Sequence, residues 1–141
     1  MNRKIIVLTA TFLMSISVMF AQEVKTVPPF IVKAMQAEFK DAVNVQWKMV
    51  DPFYKAILTV DETELQAFYS AEGKLTAVSR KLTVDQLPLA LMKEVKEKAK
   101  THTISDLFEL LTDKGTEYFL SITNEKETKT FRSDGQDWAR Y

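Results

Sequence analysis

The chain has 141 residues, 19 basic and 19 acidic side chains, one histidine and no cysteine, for a formal charge of zero. Balanced charge gives no electrostatic footprint for nucleic acid or an anionic membrane, and a cysteine-free domain must be held by its packed core. Three glycines and one histidine leave no material for a glycine-rich phosphate cradle or a multi-ligand zinc site.

The amino terminus places Arg3 and Lys4 before an uncharged run from Ile5 to Phe20, and Ala21 supplies a small residue ahead of polar Gln22-Glu23. This pattern predicts a cleavable export signal over residues 1–21. Its apolar run, interrupted by Thr9, Thr11, Ser15 and Ser17, is shorter than the roughly 20 residues a membrane anchor needs. The expected product is periplasmic or secreted and has no cysteine for lipidation. Its formal charge is about −2 once Arg3 and Lys4 are removed.

From Val27 to Phe39 the apolar residues Val27, Ile31, Met35 and Phe39 recur at helical spacing, with Pro28 and Pro29 tolerable only in the first turn. The period then becomes two. Val43 to Met49, Phe53 to Val60, Glu64 to Ser70 and Leu75 to Leu82 read as four strands separated by short turns, Gly73 serving a tight hairpin. Thr83-Val84-Asp85-Gln86 resembles a helix start, and Pro88 opens a second helix to about Lys100. Its buried stripe is Leu91, Met92, Val95 and Ala99, and Glu94 and Lys98 are spaced for an ion pair.

Four further strands follow at Ile104 to Thr112, Glu117 to Thr123, Thr128 to Arg132 and Asp137 to Tyr141. The order of one helix and four strands thus occurs twice. Tyr54 and Phe68 are echoed by Tyr118 and Phe131, implying an internal duplication with a period near 64 residues. The predicted fold is α+β, with two tandem repeats of a helix plus a four-stranded antiparallel meander over residues 22–82 and 83–141.

The run Val45-Gln46-Trp47, Tyr54-Lys55-Ala56, Ala67 to Leu75 with its Glu72-Gly73-Lys74 turn, and Leu87-Pro88 resembles the β-lactamase-inhibitor-like, PepSY-like proteins exported by Bacteroidetes. The resemblance spans the mature chain. It implies tandem repeats whose sheets join in one curved surface with the helices on one face. It implies no β-lactamase inhibition, because no inhibitor contact set carries over.

No residues assemble a convincing catalytic or cofactor site. His102-Thr103-Ile104-Ser105-Asp106 contains the residue types of a nucleophilic triad in one local run, which suits a helix-end histidine better than a converged site. The acidic turns at Asp61-Glu62-Thr63-Glu64 and Ser133 to Asp137 lack the spacing of a calcium loop and fit hairpin turns. Glu109 and Glu117 are expected to face each other across the Lys114-Gly115 hairpin as a surface pair.

The unusual feature is aromatic. If Trp47, Tyr54, Leu58 and Tyr69 lie beneath the helices, then Phe53, Ile57, Phe68, Phe119 and Phe131 fall on the opposite face, where an antiparallel sheet usually meets water. These five are the candidate partner-binding residues. The expected function is a non-enzymatic binding module for an envelope protein or peptide, with no metal or cofactor. The alternatives are a small enzyme using His102, with Ser105 or a carboxylate, and a structural or stress-related envelope protein.

Overall fold

The computed structural model describes residues 26–141, so the expected signal of residues 1–21 lies outside the described residues. The elements in chain order are α1 (Pro29–Glu38), β1 (Val43–Val50), β2 (Phe53–Val60), β3 (Thr63–Tyr69) and β4 (Leu75–Lys81). A 3-10 turn (Val84–Gln86) leads to α2 (Leu89–Lys98), β5 (Thr103–Thr112), β6 (Gly115–Thr123), β7 (Thr128–Ser133) and β8 (Ala139–Arg140). All eight strands join one open antiparallel sheet in sequential order, with β1 and β8 at its edges. The fold is α+β.

Each helix starts where proline permits. Pro29 sits at the first helical positions, where its missing N–H is no loss, and the Pro28 carbonyl accepts from Ile31 and Val32. The second start is more complicated. The Thr83 N–H donates to Gln86 Oε1 at 2.8 Å, closing a capping box around a single 3-10 turn. Leu87 is then extended, as a residue before proline prefers, so α2 begins afresh at Leu89.

Strand alternation sets the layers. In β2 and β3, Ala56, Leu58, Ala67 and Tyr69 point to the side where α1 supplies Ile31 and Met35, and all six are buried. The register carries this face across the sheet: Ala67 opposes Val78, Val78 opposes Leu111, and Leu107 opposes Leu120. There α2 supplies Leu91 and Val95 to a second core with Leu107, Leu120 and Ile122. Each fully buried Leu or Ile contributes about 1.5–3 kcal/mol relative to exposure. Trp138, from the β7–β8 connection, closes this core, and its indole N–H donates to the Leu91 carbonyl at 3.3 Å.

Between the cores, the Arg80 guanidinium grips Glu109 Oε1 through Nε at 2.8 Å and Nη2 at 2.7 Å, across the β4–β5 seam. Glu109 is therefore not the partner of Glu117. Glu109 opposes Tyr118 and Glu117 opposes Leu110, so the two carboxylates emerge on opposite faces, and Glu117 pairs instead with Arg132. Two end effects also differ from expectation. β8 is confined to Ala139–Arg140, and Ala99 is exposed at the α2 terminus instead of buried in its stripe. The expected Glu94–Lys98 pair forms at 3.2 Å.

Candidate functional site on the uncovered sheet face

No helix covers the second face of the sheet among the described residues. The side chains there alternate with those of the cores, and successive strand pairings place Lys81, Phe108, Phe119 and Arg132 in one row across β4 to β7. Phe108 and Phe119 stack with ring centroids 5.0 Å apart, and Tyr141 meets Phe119 edge-on at 5.9 Å. Both geometries suit the ring quadrupole and are worth about 0.5–1.5 kcal/mol each beyond area burial. Tyr141 is 75% exposed at the end of this ladder.

Beside the ladder, at the seam between the two helix-plus-four-strand units, Phe68, Phe108 and Leu110 line a trough of about 320 Å³. Gln66, Ser79, Lys81 and Asp106 complete it, so its apolar floor is rimmed by one basic and one acidic group. Arg132 is neutralised locally by Glu117, both on this face. The row is thus an aromatic centre between two cationic ends, one of them paired.

Of the five residues selected from sequence, Phe53, Ile57, Phe68 and Phe119 lie on this face and all are half-buried. Phe68 and Phe119 belong to the trough and ladder, joined through Phe108, whereas Phe53 and Ile57 stand on β2 nearer the β1 edge. Phe131 does not belong. It opposes Leu120 on the helix face, packs against the second core, and carries the Lys98 ammonium 4.5 Å above its ring.

A one-residue slip in the repeat puts Phe131 on the helix face. Tyr54 and Tyr118 are 64 residues apart and share the helix face, but Phe68 and Phe131 are 63 apart. One residue of slip exchanges the faces of a strand, and the true counterpart on the uncovered face is Arg132. Phe108, Leu110 and Tyr141 were missed. The first two sit at alternate positions within a strand whose phase was fixed by Leu107, a signal legible in the sequence; Tyr141 needed the position of β8.

His102 and Ser105 are not brought together. Asn124 Oδ1 accepts from the backbone N–H groups of Lys126 and Glu127 at 2.9 and 3.0 Å, so its amide nitrogen faces His102 Nε2 at 3.0 Å. Nε2 therefore accepts, and Nδ1–H donates to Thr101 Oγ1 at 2.8 Å. The Ser105 hydroxyl donates to the Ser121 carbonyl across the sheet at 3.1 Å. Both ring nitrogens are engaged in tying the β6–β7 turn to the end of α2, a structural strap.

Tyr69 is buried. Its hydroxyl has no hydrogen-bond partner among the described residues, and burial, with the nearby Glu38 charge second, pushes its pKa up to about 12. It faces the first core and lies apart from the aromatic ladder. The Glu127 carboxyl is held below its usual value by the Lys129 ammonium, which hydrogen-bonds it.

Comparison with family models and with curated proteins finds no match. Solved structures do match. A BLIP-like protein from Bacteroides fragilis is 18% identical, with a TM-score of 0.68 over 83% of this chain and 88% of that one. A DUF2874 family protein from Bacteroides uniformis is 12% identical, with a TM-score of 0.74 over 82% and 88%. A protein from Bacteroides eggerthii, named for a periplasmic location, is 9% identical, with a TM-score of 0.72 over 82% and 89%. The resemblance read from the strand and turn motifs is thus matched at the level of the fold.

Proposed function

We propose that this chain is an exported, non-enzymatic binding module that holds a protein or peptide on the uncovered sheet face. The observation that carries this reading is the Phe68–Phe108–Phe119–Tyr141 surface, a connected aromatic and apolar strip bounded by Lys81, Asp106 and the Glu117–Arg132 pair. Half-buried aromatics with polar rims are the usual anchors of protein interfaces. The BLIP-like and periplasmic structures of similar fold support the reading, as does the amino-terminal signal pattern, which points to the periplasm or beyond. The repeated helix-plus-four-strand order supports an internal duplication that widened the sheet to eight strands.

Replacing Phe108 and Phe119 together with Ser, and Phe131 with Ser in a separate variant, tests it. The double variant is expected to melt lower, because two ring contacts are lost, yet to stay folded, and to lose partners captured by crosslinking in the bacterial envelope. The Phe131 variant is expected to melt lower. Retention of the same partners by a folded double variant overturns the proposal.

A further inference from the structure

We propose that the β1 edge is a homodimer interface, through which two copies join their sheets by antiparallel pairing of β1 with β1. The two edges of the sheet are built very differently. At β8 the edge is two residues long, which leaves little ladder to extend. At β1 it is eight residues long and rich in β-formers, and no described residue pairs with its outer side. Val43, Met49 and Val50 on this strand are 56%, 40% and 43% exposed, three large apolar side chains on one short element. Asn44, with φ +55°, bulges the start of the strand, but Gln46 to Val50 pair with β2 without interruption and leave a straight edge.

Above this edge, between α1 and β1, lies a groove of about 470 Å³ whose apolar walls are Val32, Met35, Phe39, Ala42, Val45 and Trp47. Beneath its Trp47 wall, 6.1 Å ring to ring, sits Tyr69 with its unpartnered hydroxyl. The edge thus combines free backbone groups with an open apolar cleft, the two components of strand addition.

The side-chain order selects a second copy as occupant. Trp47 and Met49 oppose Ala56 and Tyr54 and so share the helix side with Val45, while Gln46 and Lys48 point to the uncovered face. A two-fold axis through Trp47 sets Trp47 against Trp47, Val45 against Met49, and Gln46 against Lys48 of the second copy. At these positions apolar meets apolar on one face and an amide meets an ammonium on the other, while Val50 falls opposite the Asn44 bulge. An axis one residue later would oppose Lys48 to Lys48, and like-charge repulsion disfavours that register. The same symmetry keeps both copies of α1 on one side, and the two grooves meet over the paired indoles.

The natural absence of cysteine makes the test clean. Directly opposed residues in an antiparallel pair are within disulfide reach, about 4.5–5.5 Å between Cα atoms, whereas diagonal neighbours are not. Protein purified after export is expected to sediment as a monomer–dimer equilibrium, and M49K is expected to be monomeric and to melt as the wild type does when diluted to monomer. Oxidation of a mixture of the Gln46→Cys and Lys48→Cys variants should give several-fold more crosslinked dimer than either variant alone. A protein that stays monomeric up to about 1 mM, including one that takes up only a partner peptide on β1, overturns the proposal. So does a dimer whose crosslinking is equal in all three samples.

Discussion

Among the described residues, Tyr69 is the largest side chain wholly enclosed in the core, and none of them offers its hydroxyl a partner. An unpaired buried hydroxyl costs about 1–3 kcal/mol, so Tyr69→Phe is expected to leave stability at pH 7 unchanged or to raise it by about 1 kcal/mol in urea titrations. The pH dependence follows from the raised pKa of about 12. Below the ordinary value near 10, folded and unfolded chains both keep the proton; above it the unfolded chain releases it first, so stability falls as pH rises from about 10 to about 12. The loss amounts to about 3 kcal/mol, and the difference in alkaline stability between wild type and Tyr69→Phe measures it. None of this was legible in the sequence, because Tyr69 reads there as one more inward residue of β3. Only three-dimensional packing shows that no described residue reaches its hydroxyl.

Among the elements, the β2–β3 hairpin carries an avoidable cost. Val60 opposes Thr63, so the loop is just Asp61-Glu62, and both residues have positive φ, at 48° and 63°. This is the turn that matches strand twist, but a glutamate in the left-handed region is strained by about 1 kcal/mol. Glu62→Gly is expected to stabilise the protein by about 0.5–1 kcal/mol, read as a higher thermal midpoint. The helices behave conversely. Leu91 is wholly buried, and Leu91→Ala should cost about 2–5 kcal/mol in denaturant unfolding. Element type and order were legible here because helical and alternating periods change abruptly at Asp41 and again at Thr83. Strand phase was less so: it requires each alternation to be anchored on a buried residue, and aligning Phe131 with Phe68 bypassed that anchor. Pairing Glu109 with Glu117 failed in the same way, since the loop is Asp113-Lys114 and the register shifts by one from the assumed hairpin.

At the scale of the molecule, two cores share one sheet. Leu58 belongs to the first and Leu120 to the second, with no common neighbour, so the costs of Leu58→Ala and Leu120→Ala should add within about 0.5 kcal/mol. Each core also holds its own tryptophan reporter. Trp47 packs against the first and Trp138 within the second, so Trp47→Phe and Trp138→Phe leave single-tryptophan proteins that report one half each. The β4–β5 ladder runs from Ala77 to Lys81 and is reinforced by Leu82 N–H to the Leu107 carbonyl at 2.9 Å and by Arg80 with Glu109. It is expected to make the two fluorescence transitions coincide.

That seam differs from every other strand pairing in the sheet. β4 and β5 are neighbours, yet the chain between them runs through the 3-10 turn and α2, so no hairpin loop enforces their contact. Thr83, Asp85 and Gln86 are exposed, and a backbone cut among them breaks no strand and no core helix. Each fragment would keep a helix, four strands and a core of its own, with a complementary sheet edge to offer the other. The molecule is in this sense a pair of halves already suited to split-protein reconstitution, in which two separately made pieces regain the sheet by re-forming one ladder.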